Sequence, residues 1–97
     1  MAQANSEAVA CDAAAEVTLP PDVDLHARPA ADFVRAAMMF ESDIRVCAGD
    51  REVDAKSLLS ILALGARRGT LLRLRADGPD AADAVRALSG VVTSLRE

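Results

Sequence analysis

Aromatic side chains are nearly missing from this sequence. It has no tryptophan, no tyrosine and two phenylalanines among 97 residues. A core must therefore be assembled from aliphatic residues, and rings on which nucleic-acid bases could stack are lacking. Positive charge is also short: 11 Lys and Arg face 15 Asp and Glu, leaving a net charge of −4. Binding to a phosphodiester backbone needs a basic face, so neither DNA nor RNA is expected as a partner. Cysteine is limited to Cys11 and Cys47, and histidine to His26. That set cannot build a zinc site or a disulfide framework, so the cysteines read as free thiols, with no metal and no cofactor expected. No apolar run approaches the roughly 20 residues of a membrane span.

What is present suits one small domain. Hydrophobic residues make up 52% and charged residues 27% of the chain, a composition of folded rather than disordered proteins. The first segment, MAQANSEAVACDAA, is the exception, being rich in small residues. It has neither the basic start nor the apolar stretch of an export signal. Residues 1–14 are read as a disordered tail, residues 15–97 as the domain, and the location as cytoplasmic.

Periodicity gives the order of elements. AEVTLPP alternates, with Val17 and Leu19 on one face, and ends at Pro20-Pro21. From Ala27 the spacing becomes helical through Ala30, Phe33, Val34, Ala37 and Met38, predicting a helix to Met39 or Phe40. SDIRVCAGDREVDA predicts a hairpin turning at Gly49-Asp50, with Ile44, Val46 and Val53 inward and Cys47 on the opposite face. Ser57 is a candidate N-cap for a short helix, apolar around most of its girth, that Gly65 would close. TLLRLRAD alternates again, and Gly78-Pro79 interrupts the chain. A last helix places Ala81, Ala84, Val85, Leu88, Val92 and Leu95 on one stripe. The order β-α-β-β-α-β-α predicts an α+β fold, an open-faced β-sandwich whose four-stranded antiparallel sheet is covered on one face by three helices.

The stretch DLHARPAADFVRAA holds the one histidine at a helix start. The first turn of a helix presents amides without internal partners and the positive end of the dipole, which together attract anions. Ala27 offers no side-chain acceptor to cap those amides, and Arg28 adds a guanidinium suited to phosphate oxygens. Imidazole titrates near neutrality and is a good nucleophile when neutral. These residues provide a place for one phosphoryl group. There is no glycine-rich loop for a nucleotide.

LHARPAADFVRAA followed by DAKSLLSILALGARRG resembles the HPr family, the histidine-containing phosphocarriers of the bacterial phosphoenolpyruvate:sugar phosphotransferase system. The similarity runs from about Ala15 to Leu95 in matching element order. The resemblance implies that His26 accepts a phosphoryl group on ring Nδ1 from phosphoenolpyruvate-charged Enzyme I and passes it to EIIA domains of sugar permeases. It implies a carrier with a covalent phosphohistidine intermediate rather than a stand-alone enzyme. Arg28 would contact the phosphoryl oxygens and Pro29 would shape the helix start. Ser57 aligns with the serine that an HPr kinase/phosphorylase modifies in many relatives.

The family docks its partners on the first two helices. That implies an apolar centre of Leu58, Leu59 and Leu62 with Ala27, Ala31 and Met38, and a basic rim of Arg28, Arg35 and Lys56. Asp24 stands where the family usually has Gly, and a carboxylate there is expected to oppose an incoming phosphoryl dianion. The alternative is a regulatory HPr paralogue, in a nitrogen-related relay or as a kinase-controlled binding module, that uses the same surface. A monomer is expected in either case.

Overall fold

Backbone pairing sets the frame on which the histidine is mounted. A computed structural model describes residues 11–96. Strand β1 spans Ala13–Thr18, helix α1 Ala27–Ala37, β2 Asp43–Ala48, β3 Arg51–Asp54, α2 Leu58–Leu64, β4 Leu71–Asp77 and α3 Ala81–Ser94. The four strands form one antiparallel sheet in the order β1-β4-β2-β3. The expected α+β open-faced sandwich is what the chain adopts.

Strand alternation decides which face meets the helices. Val17 pairs with Leu72, Val46 with Leu74 and Ile44 with Ala76, and all six are buried. Their neighbours Glu16, Arg73 and Arg45 point to the other, open face and are exposed. Cross-strand apolar pairs of this kind are the unit of sheet stability. The helices close the covered face with Phe33, Ala30 and Ala37 from α1, Ile61 and Leu64 from α2, and Ala84, Val85, Leu88 and Val92 from α3. Phe33 is the largest fully buried side chain, so one of the chain's two aromatics sits at the centre of the core.

Two boundaries and one burial differ from expectation. Ala13 and Ala14, assigned above to the tail, pair with Ala76 and Arg75 as strand residues. An all-alanine run shows no alternation, so its strand character comes from the partner strand alone. The rest of the expected tail, residues 1–10, lies outside the described residues. Helix α1 stops at Ala37 instead of Met39 or Phe40, because the amides of Met39 and Phe40 turn back to the carbonyls of Ala36 and Ala37. Those i to i−3 bonds tighten the last turn and end the helix. Val53 packs against the core only in part.

The expected caps are present. Ser57 Oγ accepts from the amide of Ser60 at 3.2 Å, and Gly65 closes α2 in the left-handed region at φ 63°. The hairpin turns at Gly49, also left-handed at φ 64°.

One polar knot joins the start of β2 to the start of α3. Ser42, buried in the loop before β2, bonds through its hydroxyl to Asp80. Asp80 occupies the N-cap position of α3, yet its carboxylate does not cap that helix. It accepts instead from the amides of Glu41 and Ser42, each at 2.9 Å. The Ser42 hydroxyl and these amides hold the Asp80 carboxyl below the usual carboxylate range. Gly78 makes the knot possible: its φ is +145°, and a Cβ there would lie 2.6 Å from Ser42 Oγ and 2.7 Å from Ser42 Cα.

Gly78→Ala should therefore cost about 3 kcal/mol, from backbone strain plus overpacking, measured by urea unfolding. Asp80 gives a pH signature of definite sign. A carboxyl whose folded pKa is lowered stabilises the fold above its unfolded pKa and loses that effect as pH falls through the folded value. The melting temperature of Asp80→Ala should lie below wild type at pH 6, and the gap should close as pH drops below about 4.

Candidate functional site

His26 stands at the end of a loop whose neighbours alternate as in a strand. Val23 and Leu25 are buried, at 2% and 1% exposure, whereas His26 is exposed. The apolar pair is pulled into the core, so the residue after Leu25 must project outward. Leu25 donates its amide to the Ala66 carbonyl at 2.9 Å, and the His26 amide bonds to the Asp24 carbonyl at 2.9 Å.

The cap position of α1 is His26 itself and not Ala27, as the sequence had suggested. His26 has extended backbone, φ −141° and ψ 157°, and no side chain caps the helix. The first recorded bond runs from the Ala30 amide to the His26 carbonyl at 3.4 Å. Among the described residues, the amides of Ala27 and Arg28 have no acceptor, and Pro29 has no N–H to satisfy. Pro29 is buried in the first turn. Ala27 takes φ +44°, the one non-glycine residue with positive φ among those described. That conformation costs on the order of 1–3 kcal/mol for a residue with a Cβ and persists only where its surroundings enforce it. Local sequence gives no sign of it.

His26, an exposed residue, thus occupies the uncapped start, the positive end, of an eleven-residue helix. Arg28 is exposed, with no ion pair among the described residues. It lines a cleft of about 450 Å³ together with Asp32, Val91, Ser94, Leu95 and Arg96. Arg96, two residues past the end of α3, is a second cation that sequence reasoning did not connect to the site.

Asp24, the carboxylate expected to oppose an incoming dianion, has partners in the neighbouring loop. Its Oδ1 accepts from the Arg68 amide at 2.8 Å, and its carboxylate pairs with the Arg68 guanidinium at 3.4 and 3.5 Å. The Arg68 amide, followed by the guanidinium, holds this carboxyl below the usual carboxylate range. Its charge is thus directed at a neighbouring cation in the loop between α2 and β4.

Beyond α1 lies an apolar surface shared with α2. Met38 is 64% exposed, Leu58 41% and Leu59 81%. Leu62 and Ala31 are half-buried, and Ala27 is exposed. Met39, 79% exposed, extends the patch although sequence reading placed it inside the helix. Its exposure follows from the early end of α1.

The basic rim is thinner than expected. Arg35 is exposed but pairs with Asp32 at 2.6 Å. The Lys56 ammonium is half-buried and donates to the Phe40 carbonyl at 2.6 Å, which ties the end of α1 to the start of α2. Among the described residues, Arg28 is left as the rim's cation without a partner.

The open face of the sheet carries the larger cavity, about 670 Å³, lined in part by Cys11, Cys47, Arg73 and Arg75. It contains none of the expected site residues. Burial, followed by the nearby Glu52 carboxylate, pushes the Cys47 thiol up, which disfavours the reactive thiolate. Among the described residues no group of three or more His, Cys, Asp or Glu is arranged to hold a metal, and no helix is long and apolar enough to cross a membrane.

A family model described as the PTS HPr component phosphorylation site matches residues 13–94. The phosphocarrier protein HPr of Vibrio cholerae is 38% identical over 80 residues, 82% of this chain and 94% of that one. The crystal structure of a phosphocarrier protein HPr from Bacillus anthracis superposes with a TM-score of 0.80 at 33% identity, covering 84% and 96% of the two chains. Crh, the Bacillus subtilis catabolite repression protein, solved as a dimer with a swapped domain, gives a TM-score of 0.66 at 38% identity, covering 70% and 78%. With its exposed histidine at an uncapped helix start and a family match across nearly the whole described fold, the chain belongs to the HPr phosphocarriers of the phosphotransferase system.

Proposed function

We propose that His26 is the phosphoryl acceptor, that phosphoenolpyruvate-charged Enzyme I is its donor, and that EIIA domains of sugar permeases take the group onward. One observation carries this reading: an exposed histidine occupies the N-cap of a helix whose first amides no side chain caps among the described residues. A ring nitrogen, Nδ1 by family resemblance, attacks the donor's phosphorus. An N–P bond forms as the donor's bond to phosphorus breaks, and the imidazole's other nitrogen keeps its proton. The charge that arrives faces the amides of Ala27 and Arg28 and the Arg28 guanidinium, which favour a dianion. Pro29 fixes the first turn without adding a donor. The second transfer reverses the geometry on the acceptor, and the carrier is regenerated, most readily in the cytoplasm, where both partners would be met.

Docking is assigned to the apolar surface of Ala27, Ala31, Met38, Leu58, Leu59 and Leu62, with Met39 added and with Arg28 and Arg35 at its edge. Such a patch, rimmed by charge, suits brief association with several acidic partners. The chain acts as a monomer in this reading. Ser57 lies at the start of α2 beside Leu58. Phosphorylation by an HPr kinase/phosphorylase would add about −1.5 to −2 charges at this edge of the docking surface.

A second reading, a regulatory paralogue working through the same surface, draws support from the likeness to Crh. The two readings separate on phosphotransfer. Incubation with Enzyme I and phosphoenolpyruvate should give wild type one acid-labile phosphoryl group, visible by ³¹P NMR, and His26→Ala none. A wild-type chain that stays unlabelled by a competent Enzyme I would rule out the carrier role.

The docking assignment has its own check. Leu59→Ala should raise the concentration of this protein at which Enzyme I is half-saturated by about 5- to 10-fold, because it removes an exposed apolar anchor. Its melting temperature should stay close to wild type. Ser57→Glu should act in the same direction, and unchanged half-saturation in both variants would move docking elsewhere.

A further inference from the structure

Two loops run side by side beneath the histidine. One joins β1 to α1 and carries Asp24 and His26; the other joins α2 to β4. They are tied by backbone bonds from Leu19 to Thr70 at 2.9 Å, Gly69 to Pro20 at 3.3 Å and Leu25 to Ala66 at 2.9 Å. A fourth tie uses a side chain: the Asp24 carboxylate, two residues before His26, accepts the Arg68 amide at 2.8 Å and pairs with its guanidinium. The second loop is itself closed by bonds between Arg67 and Thr70, of 3.0 and 3.2 Å, so it offers Asp24 a fixed anchor. That loop begins at Gly65, the left-handed close of α2.

We propose that Asp24 is a positioning residue for phosphoryl transfer: by gripping the Arg68 amide it fixes the His26 loop relative to α2. This rests on His26 as acceptor and on α2 as part of the docking surface. A partner seated on α2 then finds the imidazole at a set place, and misplacement of a reacting group by about 1 Å can cost up to 100-fold in rate. The charged pair is largely exposed, with side-chain exposures of 59% for Arg68 and 33% for Asp24, so its ionic part contributes little. The bond to the backbone amide is the part that matters. Removing the Arg68 side chain should therefore be tolerated, whereas removing the Asp24 acceptor should not.

The test measures single-turnover transfer from phosphorylated Enzyme I, at a temperature where every variant is folded, alongside amide hydrogen exchange. Asp24→Ala should slow transfer about 5- to 10-fold. Asp24→Asn, which keeps an acceptor oxygen, should recover most of the rate, and Arg68→Ala should stay within about 2-fold of wild type. The Leu25 and Arg68 amides should lose protection in Asp24→Ala while those of β4 do not. Asp80→Ala, which loses stability at a knot that makes no bond to the His26 loop among the described residues, should transfer at the wild-type rate.

An unchanged or faster rate in Asp24→Ala overturns the proposal, as does a slower rate with both amides still protected. If wild type itself takes no label, the carrier reading fails separately. The clamp is then judged by exchange alone: loosened Leu25 and Arg68 amides support it, and unchanged protection sinks it.

Discussion

Burial of Val23 and Leu25 is the constraint from which the site follows. With these two aliphatic side chains sealed in the core, the residues that flank Leu25 have to face outward. Asp24 turns to the loop after α2, and His26 turns to solvent. The next residue must then reverse direction sharply to enter α1, and Ala27 does so at positive φ. Core packing thus holds an unfavourable backbone angle beside the histidine, and the amides that follow are left without partners. An anion can supply what the chain withholds.

Most of the architecture was written in the periodicity of the sequence. The stripes of α1 and α3, the alternation of β4 and the glycine at the hairpin turn all led to the right elements, because burial of apolar side chains decides them. Boundaries were legible only where a side chain announces them, as Ser57 and Gly65 do for α2. The start of β1 has only alanines to show, and the end of α1 depends on a switch in backbone bonding that no residue type marks.

The site was readable in part for the same reason. A histidine before Arg-Pro at the start of an amphipathic helix is a local pattern, and it led to the correct family. The partners of the charged groups were not local. Asp24 finds Arg68 across 44 positions of sequence, and Lys56 reaches back 16 residues to a carbonyl. Sequence reading therefore overstated the free charge around the site: one carboxylate and two cations expected near the histidine are already occupied by other groups of the chain.

The bond from Lys56 to Phe40 bears on how the apolar surface is presented. Met38 caps one helix with Met39 just past it, and Leu58 and Leu59 open the other; the two ends are bridged by the chain's single lysine. The two groups of exposed side chains are thereby tied together at one point. The histidine loop is joined to the same α2 at its other end, where Leu25 donates to Ala66 just past Gly65, so both ends of that short helix are held to the elements that flank the imidazole.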